Sequence, residues 1–220
     1  MEEKYFEYGD RDIDYLSGKD ERMANVIKQV GKLRRTVIPD LFTALVHSIV
    51  GQQISTKAHE SIWGKICGAL GEITPSKILS MEKDELRGFG ISCRKADYIK
   101  SAAAKIVSGE FNISRLHELS DDRVISELTS LDGIGKWSAE MLMLFSMQRP
   151  NILSFGDLGI QRGLRMIYHH RKITTKLYEK YHRLFSPCSS VASLYIWAIA
   201  SGKYDGFKDY APQKKAHGKW

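Results

Sequence analysis

Leu131-Asp132-Gly133-Ile134-Gly135-Lys136-Trp137-Ser138-Ala139 is the stretch on which the reading of this chain turns. Two glycines around one apolar residue permit a tight hairpin, with Ile134 turned inward as its anchor. A helix begins immediately afterwards, so unpaired backbone N–H groups and the positive end of its dipole face outward. That arrangement suits a phosphate, and Lys136 adds a point charge. Small Ala139 lets the flanking helices come close. Gly133, Ile134, Gly135 and Lys136 are therefore candidate nucleic-acid contacts. An ordinary helix–helix turn uses the same residue types, so the surrounding sequence decides the meaning.

Working outward, the pattern is helical almost throughout. Pro39-Asp40 starts an apolar helix carrying Leu41, Leu45, His47 and Ser48. After a break at Gly51-Gln52-Gln53, Ile62, Ile66 and Leu70 recur at four-residue spacing. Ser55 is a candidate cap there, and Thr74 or Ser76 caps the next helix. Further stripes run through Ile99, Ala102, Ala103 and Ile106, then Val124, Ile125, Leu128 and Leu131, then Met141, Leu142, Leu144 and Phe145. A final helix spans about Val191 to Ala200. Strand-like alternation is scarce, and the fold class is all-α. Leu86-Arg87-Gly88-Phe89-Gly90 repeats the hairpin pattern upstream. It reads first as a packing turn, with Arg94 and Lys95 as further phosphate candidates.

Composition narrows the function classes. The 220 residues are 43% hydrophobic and 27% charged, which argues against disorder. No apolar run approaches the roughly 20 residues of a bilayer span. The acidic start, Met1-Glu2-Glu3-Lys4, is unlike a leader, so the expected location is cytoplasmic, and nucleoid-associated in a prokaryote. Cys67, Cys93 and Cys188 offer neither a disulfide framework nor a zinc pair. The net charge of +7 is uneven: residues 1–20 carry −4, the last twenty +3 and the remainder +8. A basic body favours a polyanionic partner. Other chemistries fail on inspection. No Gly-Lys pair is followed by Ser or Thr, so there is no P-loop. His59-Glu60 lacks a second histidine, because Trp63 stands at that position. His169 and His170 are consecutive and point apart. No metal site is expected.

Downstream of the hairpin lies Ser154-Phe155-Gly156-Asp157-Leu158-Gly159-Ile160-Gln161-Arg162-Gly163. A Gly-x-Gly hairpin followed about twenty residues later by Asp resembles the helix-hairpin-helix DNA glycosylase superfamily. Within it, the chain is most similar to the inducible bacterial 3-methyladenine DNA glycosylase type, without that type's N-terminal β domain. The resemblance covers about residues 38 to 200. It implies a two-lobed all-α fold with an interlobe cleft. The central lobe is 38–148; the second, carrying the Asp, combines 1–37 with 149–220.

The resemblance also implies an activity: hydrolysis of the N-glycosidic bond of alkylated purines, 3-methyladenine and 7-methylguanine, in duplex DNA, without strand cleavage. Asp157 matches the family carboxylate. Bond breaking builds positive charge on the sugar, which a fixed carboxylate stabilises; simple helix capping is the plainer reading of the same residue. Strand-cutting members carry a nucleophilic Lys where this chain has Trp137. Adjacent Lys136 is turned by about 100° on a helix and is no substitute. Trp137 suits a cationic alkylated base, and Trp197 matches a second pocket aromatic or packs in the core. Met141 and Leu158 stand where the bacterial pattern has tyrosines, completing the candidate base pocket. Gly51-Gln52-Gln53-Ile54-Ser55 resembles the loop that fills the gap left by a flipped base, with Gln53 as wedge beside Gln52 and Ile54. The implied partner is duplex DNA containing damaged bases, bound by a monomer. No redox cofactor is implied; a monovalent cation on the hairpin carbonyls occurs in the family. Rival readings are a glycosylase for oxidised or deaminated bases, a non-catalytic helix-hairpin-helix module, and an RNA- or protein-binding helical domain. The tail residues Lys214, Lys215 and Trp220 are a further candidate DNA contact, though a solvated basic end explains them equally well.

Overall fold

The computed structural model describes residues 3–212. Lys214, Lys215 and Trp220 lie outside the described residues. In chain order the helices are α1 (Asp10–Lys19), α2 (Glu21–Val30), α3 (Leu41–Gly51), α4 (Thr56–Leu70), α5 (Pro75–Ser80), α6 (Lys83–Gly88) and α7 (Cys93–Val107). A 3-10 turn at Ser114–Glu118 precedes α8 (Asp121–Thr129), α9 (Lys136–Phe145), α10 (Leu158–Tyr168), α11 (Thr175–Phe185) and α12 (Ser189–Ala200). Among the described residues the only strands are the two-residue pieces Lys4–Tyr5 and Thr36–Val37. The all-α expectation holds.

Side-chain caps set most of these starts. Asp20, Asp40, Ser55, Thr74, Ser92, Asp157 and Thr174 each accept a hydrogen bond from a backbone N–H in the first turn of the helix they precede. Such a cap contributes about 1 kcal/mol. Three helices, α1, α2 and α11, were not assigned by the sequence patterns. Each is amphipathic but mostly polar, and buries only a few side chains, such as Met23, Val26 and Ile27 in α2.

The chain divides into two compact units. One is built mainly from Thr36–Gln148, the other from Tyr5–Arg35 and the described residues from Arg149 onward. At the centre of the first is α3, mostly apolar, with Leu41, Phe42, Ala44, Leu45, Val46, Ile49 and Val50 buried and Thr43, His47 and Ser48 half-buried, packed against α4, α7 and α9. A helix this apolar has to be enclosed over most of its surface. α5 and α6 lie on α7, and α8 lies on α9. The ends of the unit are tied where Ile38 N donates to the Phe145 carbonyl at 3.0 Å.

In the second unit the buried helix is α12, packed most extensively on α10 and also on α2 and α11. Its serines hold the segment that leads into α10. Ser193 Oγ donates to the Ile152 carbonyl at 2.8 Å, Ile152 N donates to Ser190 Oγ at 2.9 Å, and Ser189 Oγ meets Asn151 Oδ1 at 2.7 Å. Tyr178 of α11 adds a bond to the Leu153 carbonyl at 2.6 Å. Arg165 of α10 makes a two-pronged pair with Asp209, both contacts at 2.8 Å, fixing the chain beyond α12 to α10.

α10 and α12 approach so closely because α10 presents Gly159 and Gly163 on one face. A Cβ on Gly163 would fall 2.3 Å from the Ile196 carbonyl oxygen. Gly163→Ala is expected to cost about 3 kcal/mol, the upper part of the overpacking range, because backbone has to move. Gly64→Ala, within exposed α4 with nothing inside 4 Å of the added atom, is expected to be neutral or stabilising by up to about 1 kcal/mol. Urea unfolding of both variants checks the contrast.

Candidate active site and nucleic-acid interface

In the first unit the hairpin joins α8 to α9. Gly133 has φ +80, the left-handed region that favours glycine. It is also crowded: a Cβ there would fall 2.3 Å from the Tyr98 ring of α7. Ile134 is buried as the anchor. Gly135 is the N-cap of α9 and supplies no side chain to it, so the first-turn N–H groups of α9 have no side-chain cap. Lys136 is exposed, with Nζ 4.0 Å from Glu140 Oε1 one turn on, and Glu140 itself is buried. Part of the Lys136 charge is therefore balanced locally, an arrangement that the sequence reading missed.

The Gly51–Ser55 loop is braced against this hairpin. Gln52 is half-buried, and its Nε2 donates to the Gly133 carbonyl at 2.8 Å. Lys95 Nζ donates to the carbonyls of Val50 at 2.8 Å and Gln52 at 2.6 Å, closing the C-terminal end of α3. Lys95, also a phosphate candidate, is thus engaged by two backbone carbonyls; partial burial pushes its pKa down. Gln53, at φ +55, and Ile54 are exposed at the tip. Of the three wedge candidates, the structure gives Gln52 a bracing position and leaves Gln53 and Ile54 projecting.

Beneath the loop, the His59 ring lies against Gly51, where a Cβ would come within 2.8 Å of it. His59 Nε2 bonds the His47 carbonyl at 3.1 Å. The two imidazoles are 4.2 Å apart, and Trp63 meets His47 edge-on. Burial and then the neighbouring His59 hold the His47 pKa down to about 4.

Trp137 sits in the first turn of α9, 47% exposed, and Met141 is half-buried one turn on. Both are on unit-one residues. The other candidates lie in the second unit. Asp157 is buried and caps α10, its Oδ1 accepting from Ile160 N at 2.8 Å. The same oxygen accepts from the indole Nε1 of Trp197 at 2.9 Å. The sequence reading gave Trp197 a stacking or core-packing role and did not include this bond. Leu158, next to Asp157, is 81% exposed, an unusual position for leucine and one that leaves it available to a bound molecule. Chemically, the second unit offers a fixed carboxylate beside an exposed apolar side chain; the first offers uncapped N–H groups, a lysine, a projecting loop and an exposed indole.

Of the hairpin carbonyls, Gly133 O is engaged by Gln52, and Leu131 O accepts from Ile134 N at 3.1 Å. Among the described residues no three His, Cys, Asp or Glu side chains gather as metal ligands, and no helix is long and apolar enough to cross a membrane.

Apart from Trp197, these residues fall inside a recognised family match. The model of the HhH-GPD superfamily base excision DNA repair protein matches residues 46–187, from α3 to just before α12. The chain belongs to that superfamily. It is 33% identical over 208 residues to DNA-3-methyladenine glycosylase 1 of Schizosaccharomyces pombe, covering 91% of each chain. Among solved structures it resembles a DNA-3-methyladenine glycosidase from Bacillus halodurans, with TM-score 0.78, 32% identity, and coverage of 93% of this chain and 96% of that one. It also resembles the Schizosaccharomyces pombe 3-methyladenine DNA glycosylase in complex with abasic DNA, with TM-score 0.75, 30% identity, and coverage of 87% and 97%.

The histidine pair gives a test of the loop's support. The unfolded chain takes up the His47 proton near pH 6.5 and the folded chain only near pH 4. Stability therefore falls as pH drops through that window, by up to about 3 kcal/mol from this group. His47→Gln is expected to flatten that part of the stability–pH curve, as read by chemical unfolding at a series of pH values.

Proposed function

We propose that this protein is a monofunctional DNA glycosylase that hydrolyses the N-glycosidic bond of alkylated purines, 3-methyladenine and 7-methylguanine, in duplex DNA. The observation that carries the reading is Asp157: a buried carboxylate, capping α10 and held by two donors, in a chain of this superfamily. The relatives named for 3-methyladenine support the alkylated class of base. The uncapped start of α9 and Lys136 grip phosphate, and Gln53 with Ile54 fills the gap left by the flipped nucleotide.

An alkylated purine is cationic and already a good leaving group. Departure of the base leaves positive charge on the sugar, which Asp157 stabilises while water completes the hydrolysis. Trp137 supplies an aromatic face, contributing about 0.5–2 kcal/mol toward a cationic base. Leu158 and Met141 add apolar surface to base recognition. No side-chain amine stands at the Trp137 position, so no Schiff base forms and the product is an intact abasic strand. The chain acts as a monomer and in the compartment that holds the genome, the cytoplasm or nucleoid of a prokaryote. A monovalent cation on the hairpin would use the remaining lone pairs of its carbonyls; no step requires one, and no redox cofactor is needed.

Base release from duplexes carrying 7-methylguanine or 3-methyladenine tests the proposal. Asp157→Asn is expected to lower single-turnover release by at least about 100-fold while duplex binding survives. Borohydride is expected to trap no enzyme–DNA adduct. Unchanged release in Asp157→Asn would sink the mechanism. Release from oxidised or deaminated duplexes alone would reassign the substrate.

A further inference from the structure

We infer that Trp197 is a positioning residue for Asp157, acting through its indole N–H, with Gly159 as the seat that permits the contact; this rests on the glycosylase reading above. As an N-cap, Asp157 needs only one bond, from its Oδ1 to Ile160 N. That bond belongs to α10 itself. Trp197 brings a second donor to the same oxygen from a different helix, 40 residues further along the chain, at 2.9 Å. Donors from two separate helices thus converge on Asp157 Oδ1 and hold it in place.

The packing of α10 on α12 serves this contact. Gly163 lets the Ile196 carbonyl come against α10, which sets the register of the next residue, Trp197. One turn earlier, a Cβ on Gly159 would fall 2.8 Å from Trp197 Cδ1 and 3.0 Å from Asp157 Oδ1. Any side chain at 159 therefore forces the indole and the carboxylate apart. The edge of Trp197 is committed to Asp157, which separates its role from that of Trp137, whose ring is largely exposed.

The discriminating substitution replaces Trp197 with benzothienylalanine, which keeps the bicyclic aromatic face and puts sulfur in place of the N–H. Single-turnover release from 7-methylguanine duplex is expected to fall roughly tenfold, in line with a lost bond to a charged group. Duplex affinity should stay within about twofold, as the N–H acts after binding. Gly159→Ala, with its helical circular dichroism retained, should show the same loss of rate at the same unchanged duplex affinity. A benzothienylalanine variant with wild-type rate overturns this assignment alone. A wild-type chain that releases no base from any modified duplex overturns the glycosylase reading, and this assignment with it.

Discussion

The close approach of α12 to α10 is the constraint on which the candidate chemistry depends. At Gly163 the backbone carbonyl of Ile196 occupies the space a methyl group would need, and at Gly159 the Trp197 ring does the same. Neither helix could be moved outward without separating the indole from Asp157. The buried serines of α12 extend the same logic to the other side, because they hold the Asn151–Ile152 backbone that feeds into Asp157. One helix thus fixes both the entry to the carboxylate and its hydrogen-bond partner.

The two units carry different kinds of chemistry. Unit one is organised around backbone groups: uncapped amides at the start of α9, carbonyls of the loop after α3, and side chains such as Gln52 and Lys95 that join them. Here the lysine best placed inside the fold serves structure, and the exposed Lys136 is partly balanced by Glu140. Unit two is organised around one buried carboxylate. The proposed electrostatic grip and the proposed bond breaking therefore rest on separate cores, and a substitution that harms one core need not harm the other.

Much of this was legible in the sequence. Gly133-Ile134-Gly135 announced a hairpin because its residue types leave few alternatives. Asp40, Ser55 and Thr74 announced helix starts because a capping side chain acts over three residues. Asp157 was legible as a cap, and as more than a cap only through its distance from the hairpin. The contacts that were not legible span the chain: Gln52 to Gly133 over 81 residues, Lys95 to Val50 over 45, Trp197 to Asp157 over 40. Periodicity describes which face of a helix is apolar and says nothing of which distant polar atom it meets. The spacing of Gly159 and Gly163 was a usable signal for close helix packing, since two glycines one turn apart flatten a helix face. α1, α2 and α11 escaped notice because their charged faces diluted a three- or four-residue apolar stripe.

The second unit draws on both ends of the polypeptide, with α1 and α2 joined to α10, α11 and α12. A ribosome delivers chain in order, and contiguous elements fold first. α3 to α9 can close on themselves while synthesis continues, whereas α1 and α2 wait for helices encoded more than a hundred residues later. A nascent chain would thus possess its Gly133–Gly135 hairpin before the carboxylate has its indole partner. Order of assembly, and not only geometry, leaves the unit that holds Asp157 the last part to be completed.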